Sequence, residues 1–117
     1  MKKGKEIIIK VNDLNSFNKY MDPLLTKIVV MNVYDKFWGG VEILDSWVRR
    51  FLDEDDNEKK VIFIAAEKEL GLELWGKQEF NSKPLFYILN KGNIVDIVEG
   101  IDIPKLTERL ESAFKLL

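Results

Sequence analysis

Residues 28–34 read IVVMNVY and residues 37–41 read FWGGV. These two segments are the most informative about the fold, and the rest of the sequence is interpreted around them. The first is an almost unbroken apolar run, interrupted only by Asn32, which predicts a central strand covered on both faces. The second combines aromatic residues with glycines and leads into a long amphipathic run, which predicts a turn before a helix. A buried strand, a turn and a helix in this order are typical of an α/β fold.

The first half of the chain predicts two strands and two helices. Residues 6–11 are rich in isoleucine and predict a strand. Residues 14–21 predict a helix that ends at Asp22-Pro23, because proline cannot continue the helical hydrogen-bond ladder and the residue before it avoids the helical region. Apolar residues recur at helical spacing through residues 40–51, which predicts the long amphipathic helix. With the strand over residues 28–34, the order is β-α-β-α.

The second half predicts a strand, a shorter helix, a hairpin and a terminal helix. In chain order these cover residues 61–66, 68–75, 85–98 and 104–117. The two hairpin strands, residues 85–89 and 94–98, are joined by NKGN, a composition suited to a tight turn. The complete predicted order is βαβαβαββα, with a mixed sheet covered by helices on both faces. The terminal helix is expected to place Leu106, Leu110, Phe114 and Leu117 on one face, and Trp47 and Trp75 are expected to be interior.

Composition predicts a single domain spanning residues 1–117. The chain is 46% hydrophobic and 32% charged, which is sufficient for one compact core. Its 18 basic and 20 acidic side chains give a net charge of −2, which offers no electrostatic reason to expect nucleic acid as a partner. The apolar run near the start covers only residues 7–9, too few for a signal peptide or a membrane span. We therefore expect a cytoplasmic protein with no membrane partner.

The same composition excludes the common catalytic systems. The chain contains no histidine and no cysteine, so Ser-His and Cys-His nucleophiles and the zinc sites built from those ligands are excluded. Residues 36–40 lack the Gly-Lys-Ser or Gly-Lys-Thr end of a phosphate-binding loop. A calcium loop that began at Asp53 would need glycine at its sixth position and glutamate at its twelfth, but these positions are Glu58 and Ile64. Residues 53–58 therefore predict a solvated loop. No catalytic residue, metal ligand or cofactor is therefore predicted.

Once these elements are placed, residues 33–41 resemble the strand and active-site turn of the thioredoxins. Phe37 takes the place of the tryptophan in the Trp-Cys-Gly-Pro-Cys motif, and Trp38-Gly39-Gly40-Val41 replaces its Cys-Gly-Pro-Cys. Trp38 and Val41 thus occupy the two cysteine positions. The resemblance implies a thioredoxin fold that has lost its redox chemistry.

Two further positions carry the resemblance. Asn32 falls where thioredoxins have a buried aspartate that assists thiol chemistry, and Pro84 matches the cis proline that faces their active-site turn. Asn32, Trp38 and Val41 together are interpreted as degenerate redox positions. Taken alone, Asn32 can equally be a hydrogen-bonded polar residue within a strand. Pro84 likewise has a structural interpretation, as a cis bond needed for the turn into its strand.

Short segments are similar to one branch of the thioredoxins. Residues 5–12 (KEIIIKVN), Val33-Tyr34, Ser46 and residues 63–67 (FIAAE) look like the thioredoxin light chains of ciliary outer-arm dyneins and the related thioredoxin domains of ciliary and sperm-tail proteins. The resemblance implies a non-catalytic light chain of the axonemal outer arm, monomeric within a larger complex and bound to dynein heavy or intermediate chains. Members of that branch usually keep Cys-Gly-Pro-Cys, which this chain lacks. The alternative is a redox-dead binding or chaperone module of another complex.

The family's substrate-binding face supplies the candidate partner-binding residues, because that face does not depend on cysteine. They are Phe37, Trp38, Gly39, Val41, Lys83 and Pro84. Two large aromatic side chains at one place favour an interface, since aromatic residues often carry binding energy. The alternative is that Trp38 folds back over the turn and Phe37 packs beneath it, serving stability alone.

Overall fold

A computed structural model describes residues 7–11, 13–35, 42–75 and 84–117, apart from the side chains of Glu42, Ile43, Leu72 and Trp75. The strands are β1 (Ile8–Lys10), β2 (Ile28–Tyr34), β3 (Val61–Glu67), β4 (Leu85–Asn90) and β5 (Asn93–Glu99). The helices are α1 (Leu14–Asn18), α2 (Glu42–Asp53), α3 (Lys68–Trp75) and α4 (Ile103–Phe114). The predicted order βαβαβαββα is confirmed.

The five strands form one mixed sheet in the order β1-β3-β2-β4-β5. β3 is parallel to both β1 and β2, whereas β4 is antiparallel to β2 and to β5. The predicted α/β class and the antiparallel final hairpin are therefore confirmed.

Alternate residues of β2 direct their side chains into two separate cores. Ile28 and Val30 pack with residues of α2 and α4, among them Leu44 and Leu110. Val29, Met31 and Val33 pack on the other face with residues of α1 and α3, among them Phe17 and Leu70. An apolar strand buried on both faces requires helices on both sides, as the sequence predicts.

An aromatic cluster anchors α2 to the sheet. The ring centroid of Phe51 lies 5.1 Å from that of Trp47 and 6.2 Å from those of Phe63 and Phe114. Trp47 is only 8% exposed, so its predicted interior position is confirmed. The interior position predicted for Trp75 concerns a side chain outside those that the structure describes.

The helix ends differ in detail from the prediction. α1 is followed by a 3₁₀ turn at Lys19–Met21, and the chain then becomes extended at Asp22 before Pro23. α4 is capped by Asp102, whose side chain accepts from the Lys105 N–H, and it ends at Phe114. Leu117 therefore lies beyond the helix and is 49% exposed, so its predicted place on the buried helix face is wrong.

The β4–β5 turn depends on glycine at position 92. Lys91 and Gly92 both have positive φ angles, 52° and 86°, as a two-residue turn of the type favoured in hairpins requires. A Cβ atom at Gly92 would lie 2.6 Å from the backbone oxygen of Met21. Glycine is therefore needed for both the backbone conformation and the close approach to the 3₁₀ turn.

The acidic run of residues 53–58 is mostly solvent-facing, as predicted, but it is not all loop: Asp53 is the last residue of α2, and a 3₁₀ helix covers Asn57–Lys59. Asp55 and Asp56 are exposed, and both have positive φ angles. Asn57 departs from the prediction because it is 6% exposed, and its Nδ2 donates to the Phe51 carbonyl at 2.9 Å. This contact ties the loop back to the end of α2.

Candidate protein-binding site at the strand ends

The sheet register brings four chain segments to one end of the molecule. Tyr34 at the end of β2 lies beside Glu67 at the end of β3. Leu85 at the start of β4 lies opposite Val33 on one side and Glu99 on the other. Pro84 and the residues that follow β5 consequently share the end of the sheet at which the parallel strands finish. Asp35 directly precedes the segment 36–41, and Pro84 directly follows the segment 76–83.

Most of the sequence-predicted site lies in those two segments. Phe37, Trp38, Gly39, Val41 and Lys83 are outside the described residues, and so is the peptide bond that precedes Pro84 because it includes Lys83. The proposed docking role of these side chains and the cis conformation expected at Pro84 stay predictions. Of the predicted residues, the structure places Pro84 and Asn32.

Pro84 borders an open recess between the start of β4 and the end of β5. The Gly100 N–H donates to the Pro84 carbonyl at 2.8 Å and fixes the two segments together. The recess has a volume of about 470 Å³ and is lined by Pro84, Glu99, Gly100, Ile101 and Asp102. We call it the Pro84 recess. Ile101 is 46% exposed, which leaves an apolar side chain at the sheet end.

Sequence reasoning missed Ile101 and its neighbours in this recess. In the sequence, Gly100 marks only the end of the hairpin. A usable signal was present, because Ile101 is an apolar residue between a strand-ending glycine and the helix cap Asp102, where no strand or helix pattern buries it. Its nearness to Pro84 depends on the β4–β5 register, which local patterns do not reveal.

Asn32 is the one buried polar side chain of the central strand. It is 3% exposed, and it lies beside Ala65 of β3 and Phe86 of β4. Its Oδ1 has no hydrogen-bond partner among the residues that the structure describes. The described residues therefore provide no donor to support the interpretation of Asn32 as a hydrogen-bonded residue, as far as its Oδ1 is concerned. Leaving a buried acceptor unpaired typically costs about 1–3 kcal/mol.

An ion pair joins the end of β2 to the start of α3. The Lys68 ammonium lies 3.0 Å from Oδ2 of Asp35, and the Asp35 side chain is the less exposed of the two. The hydrogen bond to Asp35, followed by its negative charge, raises the pKa of Lys68 above its ordinary value. Lys68 therefore keeps its positive charge at neutral pH, opposite the Asp35 carboxyl group.

Tyr34 supplies a neutral phenol at the same end. Burial, followed by the negative charge of Glu67, raises the pKa of Tyr34 above its ordinary value of 10.0. Burial alone raises the pKa of Tyr87 in β4. These two phenols and the Lys68 ammonium thus keep their protons to higher pH in the folded chain than in the unfolded one.

Alkaline pH should therefore destabilise the protein. A group whose pKa is raised by folding stabilises the folded chain fully at any pH below its unfolded pKa. That unfolded pKa is 10.5 for Lys68 and 10.0 for the two tyrosines. The stabilisation is lost as the pH rises through the folded pKa. We expect urea unfolding to give a constant free energy from about pH 7 to 9 and a decline above about pH 10. Tyr34→Phe and Lys68→Gln should each reduce that decline. Variants that lose stability as steeply as the wild type would contradict the assignment.

The chemistry available at this end excludes disulfide exchange. That reaction needs a thiolate nucleophile, and the chain has no cysteine at all. Within the described ranges, no group of three or more Asp, Glu, His or Cys side chains could hold a metal ion. None of the helices described there is long and apolar enough to cross a membrane.

Comparison with known proteins identifies the fold. No protein-family model and no curated protein sequence matches the chain. Among solved structures, a thioredoxin from Nicotiana alata superimposes with a TM-score of 0.71 at 15% identity, over 96% of each chain. A Malassezia sympodialis thioredoxin gives 0.70 at 17% identity, over 97% of this chain and 96% of that one. Thioredoxin f from spinach chloroplast gives 0.68 at 24% identity, over 94% and 98%.

These likenesses show that the chain has the thioredoxin fold, which confirms the expectation drawn from residues 33–41. The Cys-x-x-Cys redox site of thioredoxins is absent, because the chain contains no cysteine. The scaffold is thus present without its reactive sulfurs.

Proposed function

We propose that this chain is a redox-inactive, non-catalytic thioredoxin-fold module that binds a protein partner at the Pro84 recess. One observation carries the proposal: an apolar side chain, Ile101, is exposed beside Pro84 at the strand ends, in a fold whose sulfur chemistry is gone. The neighbouring sequence candidates Phe37, Trp38, Gly39, Val41 and Lys83 would extend the same surface. A thioredoxin-fold chain that keeps a binding surface but has no cysteine cannot react with a bound substrate. A permanent contact with a partner therefore suits this surface better than a transient substrate complex.

The chemistry of the recess indicates the kind of segment that fits. It is shallow and open, so an extended segment suits it better than a compact ligand. Ile101 offers an apolar contact, while Glu99 and Asp102 place carboxylates at its border. Asp102 already accepts the Lys105 N–H, which leaves Glu99 as the more available acidic group. A partner segment with an apolar side chain followed by a basic residue matches this arrangement.

The partner we propose is the axonemal outer-arm dynein, through its heavy or intermediate chains. The support is the similarity of residues 5–12, Val33-Tyr34, Ser46 and residues 63–67 to the thioredoxin light chains of that complex. On this proposal the chain is one copy within a larger assembly in the cytoplasm or the ciliary axoneme. If the stable partner is a different protein, the chain belongs to a different complex but binds its partner in the same way.

Purification from the source cells tests the partner. A tagged chain should recover dynein heavy and intermediate chains, at amounts that exceed those recovered by a tagged thioredoxin. Recovery of a different protein in constant proportion would identify that protein, and not dynein, as the partner, and would still support the binding role. A well-controlled purification that yields no partner would contradict the binding role itself.

Ile101→Arg should weaken capture of that partner by about tenfold or more, because a buried apolar contact at an interface centre is typically worth more than 1 kcal/mol. Leu24→Arg is the matched control. Leu24 is 84% exposed and precedes β2, so it lies at the opposite end of the sheet. Affinity for the purified partner, measured by calorimetry, should fall for the first variant and stay unchanged for the second. Equal affinities for both variants and the wild type would place the contact elsewhere.

A further inference from the structure

β5 is the outermost strand on its side of the sheet, and among the described residues it pairs with β4 alone. Ile94, Val95 and Ile97 along it are 39%, 42% and 46% exposed. An exposed edge strand with apolar side chains is a template for pairing with a further strand. A strand of this kind needs a feature that limits such pairing.

The outward backbone groups of β5 follow from the register. Gly100 donates its N–H inward to Pro84, and alternate residues of a strand direct their N–H groups to opposite edges. Val98 and Asp96 therefore face β4, while Ile97 presents its N–H to the free edge. That N–H is already occupied, because it donates to Oδ1 of Asp96 at 2.9 Å.

Arg109 of α4 holds the Asp96 carboxylate in place. Its Nη1 donates to Oδ2 of Asp96 at 3.0 Å. One carboxylate oxygen of Asp96 thus accepts from α4, and the other accepts from the Ile97 N–H at the strand edge. A side chain anchored at one oxygen has less freedom to release the other. The Asp96–Arg109 pair thus fixes the hydrogen bond to Ile97.

A register shift beside Asp96 is a second feature that limits strand pairing at this edge. Ile88 pairs with Asp96 and Leu89 pairs with Ile94, which leaves Val95 as an extra residue of β5. A bulge of this kind bends the strand and increases its twist, so the edge is no longer a straight template. The bulge and the occupied N–H are adjacent at the middle of the strand.

We propose that Asp96, anchored by Arg109, is an edge guard that prevents β5 from pairing antiparallel with β5 of a second copy of this chain. A second copy is the partner blocked because two β5 strands can meet symmetrically about Ile97. Such a meeting would place the exposed isoleucines of the two copies side by side and would need the Ile97 N–H that Asp96 occupies. The guard is independent of the Pro84 recess.

Analytical ultracentrifugation of three variants tests the guard. Wild type and Asp96→Asn, which keeps an acceptor oxygen, should sediment as one chain at all concentrations. Asp96→Ala should shift toward the mass of two chains as its concentration rises. Asp45→Ala removes the acid of another Asp–Arg pair, the one with Arg49 within α2, and should sediment as one chain. An Asp96→Ala variant that stays monomeric, or an Asp45→Ala variant that associates equally, would overturn the proposal.

Amide hydrogen exchange provides a second readout at low concentration, where every variant is monomeric. The Ile97 amide should exchange about tenfold faster in Asp96→Ala than in the wild type, the factor that corresponds to one ordinary hydrogen bond. Asp96→Asn should retain most of the protection. Equal exchange of the Ile97 amide in the wild type and in Asp96→Ala would show that the carboxylate does not guard this N–H.

Discussion

Asn32→Asp should lower the free energy of unfolding by about 4 kcal/mol at pH 8, because it places an ionisable carboxyl in a buried site. Asn32 is 3% exposed, and its Oδ1 lacks a partner among the described residues. Burial of a carboxyl can raise its pKa by about three units, and each unit corresponds to about 1.4 kcal/mol. The loss should appear in urea unfolding as a lower transition midpoint.

The pH dependence of that loss distinguishes charge burial from misfit. A carboxyl whose pKa is raised by folding contributes stability below its unfolded value of about 4, and this contribution disappears as the pH rises through the folded value. The difference between Asn32→Asp and the wild type should therefore shrink from pH 8 to about pH 4. Asn15→Asp, at an exposed position of α1, should change stability by less than about 0.5 kcal/mol at either pH. A loss for Asn32→Asp that is the same at both pH values would contradict burial of charge as its cause.

Phe51→Ala should lower the free energy of unfolding by about 3–5 kcal/mol, the usual cost of truncating a buried phenylalanine. Phe51 is 4% exposed and contacts Trp47, Phe63 and Phe114. Its removal leaves a cavity where α2, β3 and α4 meet. Since small domains are stable by only about 5–15 kcal/mol, the variant should be close to unfolding at 37 °C. Thermal unfolding followed by circular dichroism measures the effect.

Arg50→Ala is the matched control for this cavity, because Arg50 is the preceding residue of the same helix and is exposed. It tests whether loss of any α2 side chain weakens the helix. We expect a change within about 0.5 kcal/mol. A Phe51→Ala loss below 1 kcal/mol, or one matched by Arg50→Ala, would contradict the assignment of the aromatic cluster as the main anchor of α2.

The sequence predicts the architecture well where local patterns dominate. β2 and α3 have the bounds that were predicted, since a continuous apolar run and a compact helical segment each have clear ends. The NKGN turn is where its composition predicts it, because few residues tolerate the two positive φ angles. Asn32 was identified from the sequence as the unusual polar residue of the central strand, and the structure shows it buried.

Other features depend on contacts between distant parts of the chain. Ile101 becomes a candidate only when Pro84 is placed next to Gly100 across β4 and β5. Leu117 fits the periodicity of α4 but lies beyond its last turn, where nothing in the pattern marks the end. Asn57 belongs to a polar run, yet it is buried because its amide reaches the Phe51 carbonyl. In each case tertiary placement overrides the local signal.

The edge guard and the Pro84 recess divide the molecule into two kinds of surface. At the strand ends, an apolar side chain is left open beside a recess. Along β5, apolar side chains are equally exposed, but the backbone group needed for pairing is occupied. On our proposals, the first surface binds one partner and the second avoids pairing with further copies of the chain.

Site-specific photo-crosslinking tests the central claim, binding of a partner at the Pro84 recess, most directly. Benzoylphenylalanine replaces Ile101 in one tagged variant and Leu24 in another, and each variant is irradiated in the source cells. The two positions are separated by β2, a distance of about 20 Å for its seven residues. We predict a single strong covalent adduct from position 101 and little or none of the same protein from position 24. A partner that co-purifies with both variants but crosslinks equally from both positions, or only from position 24, would contradict the account.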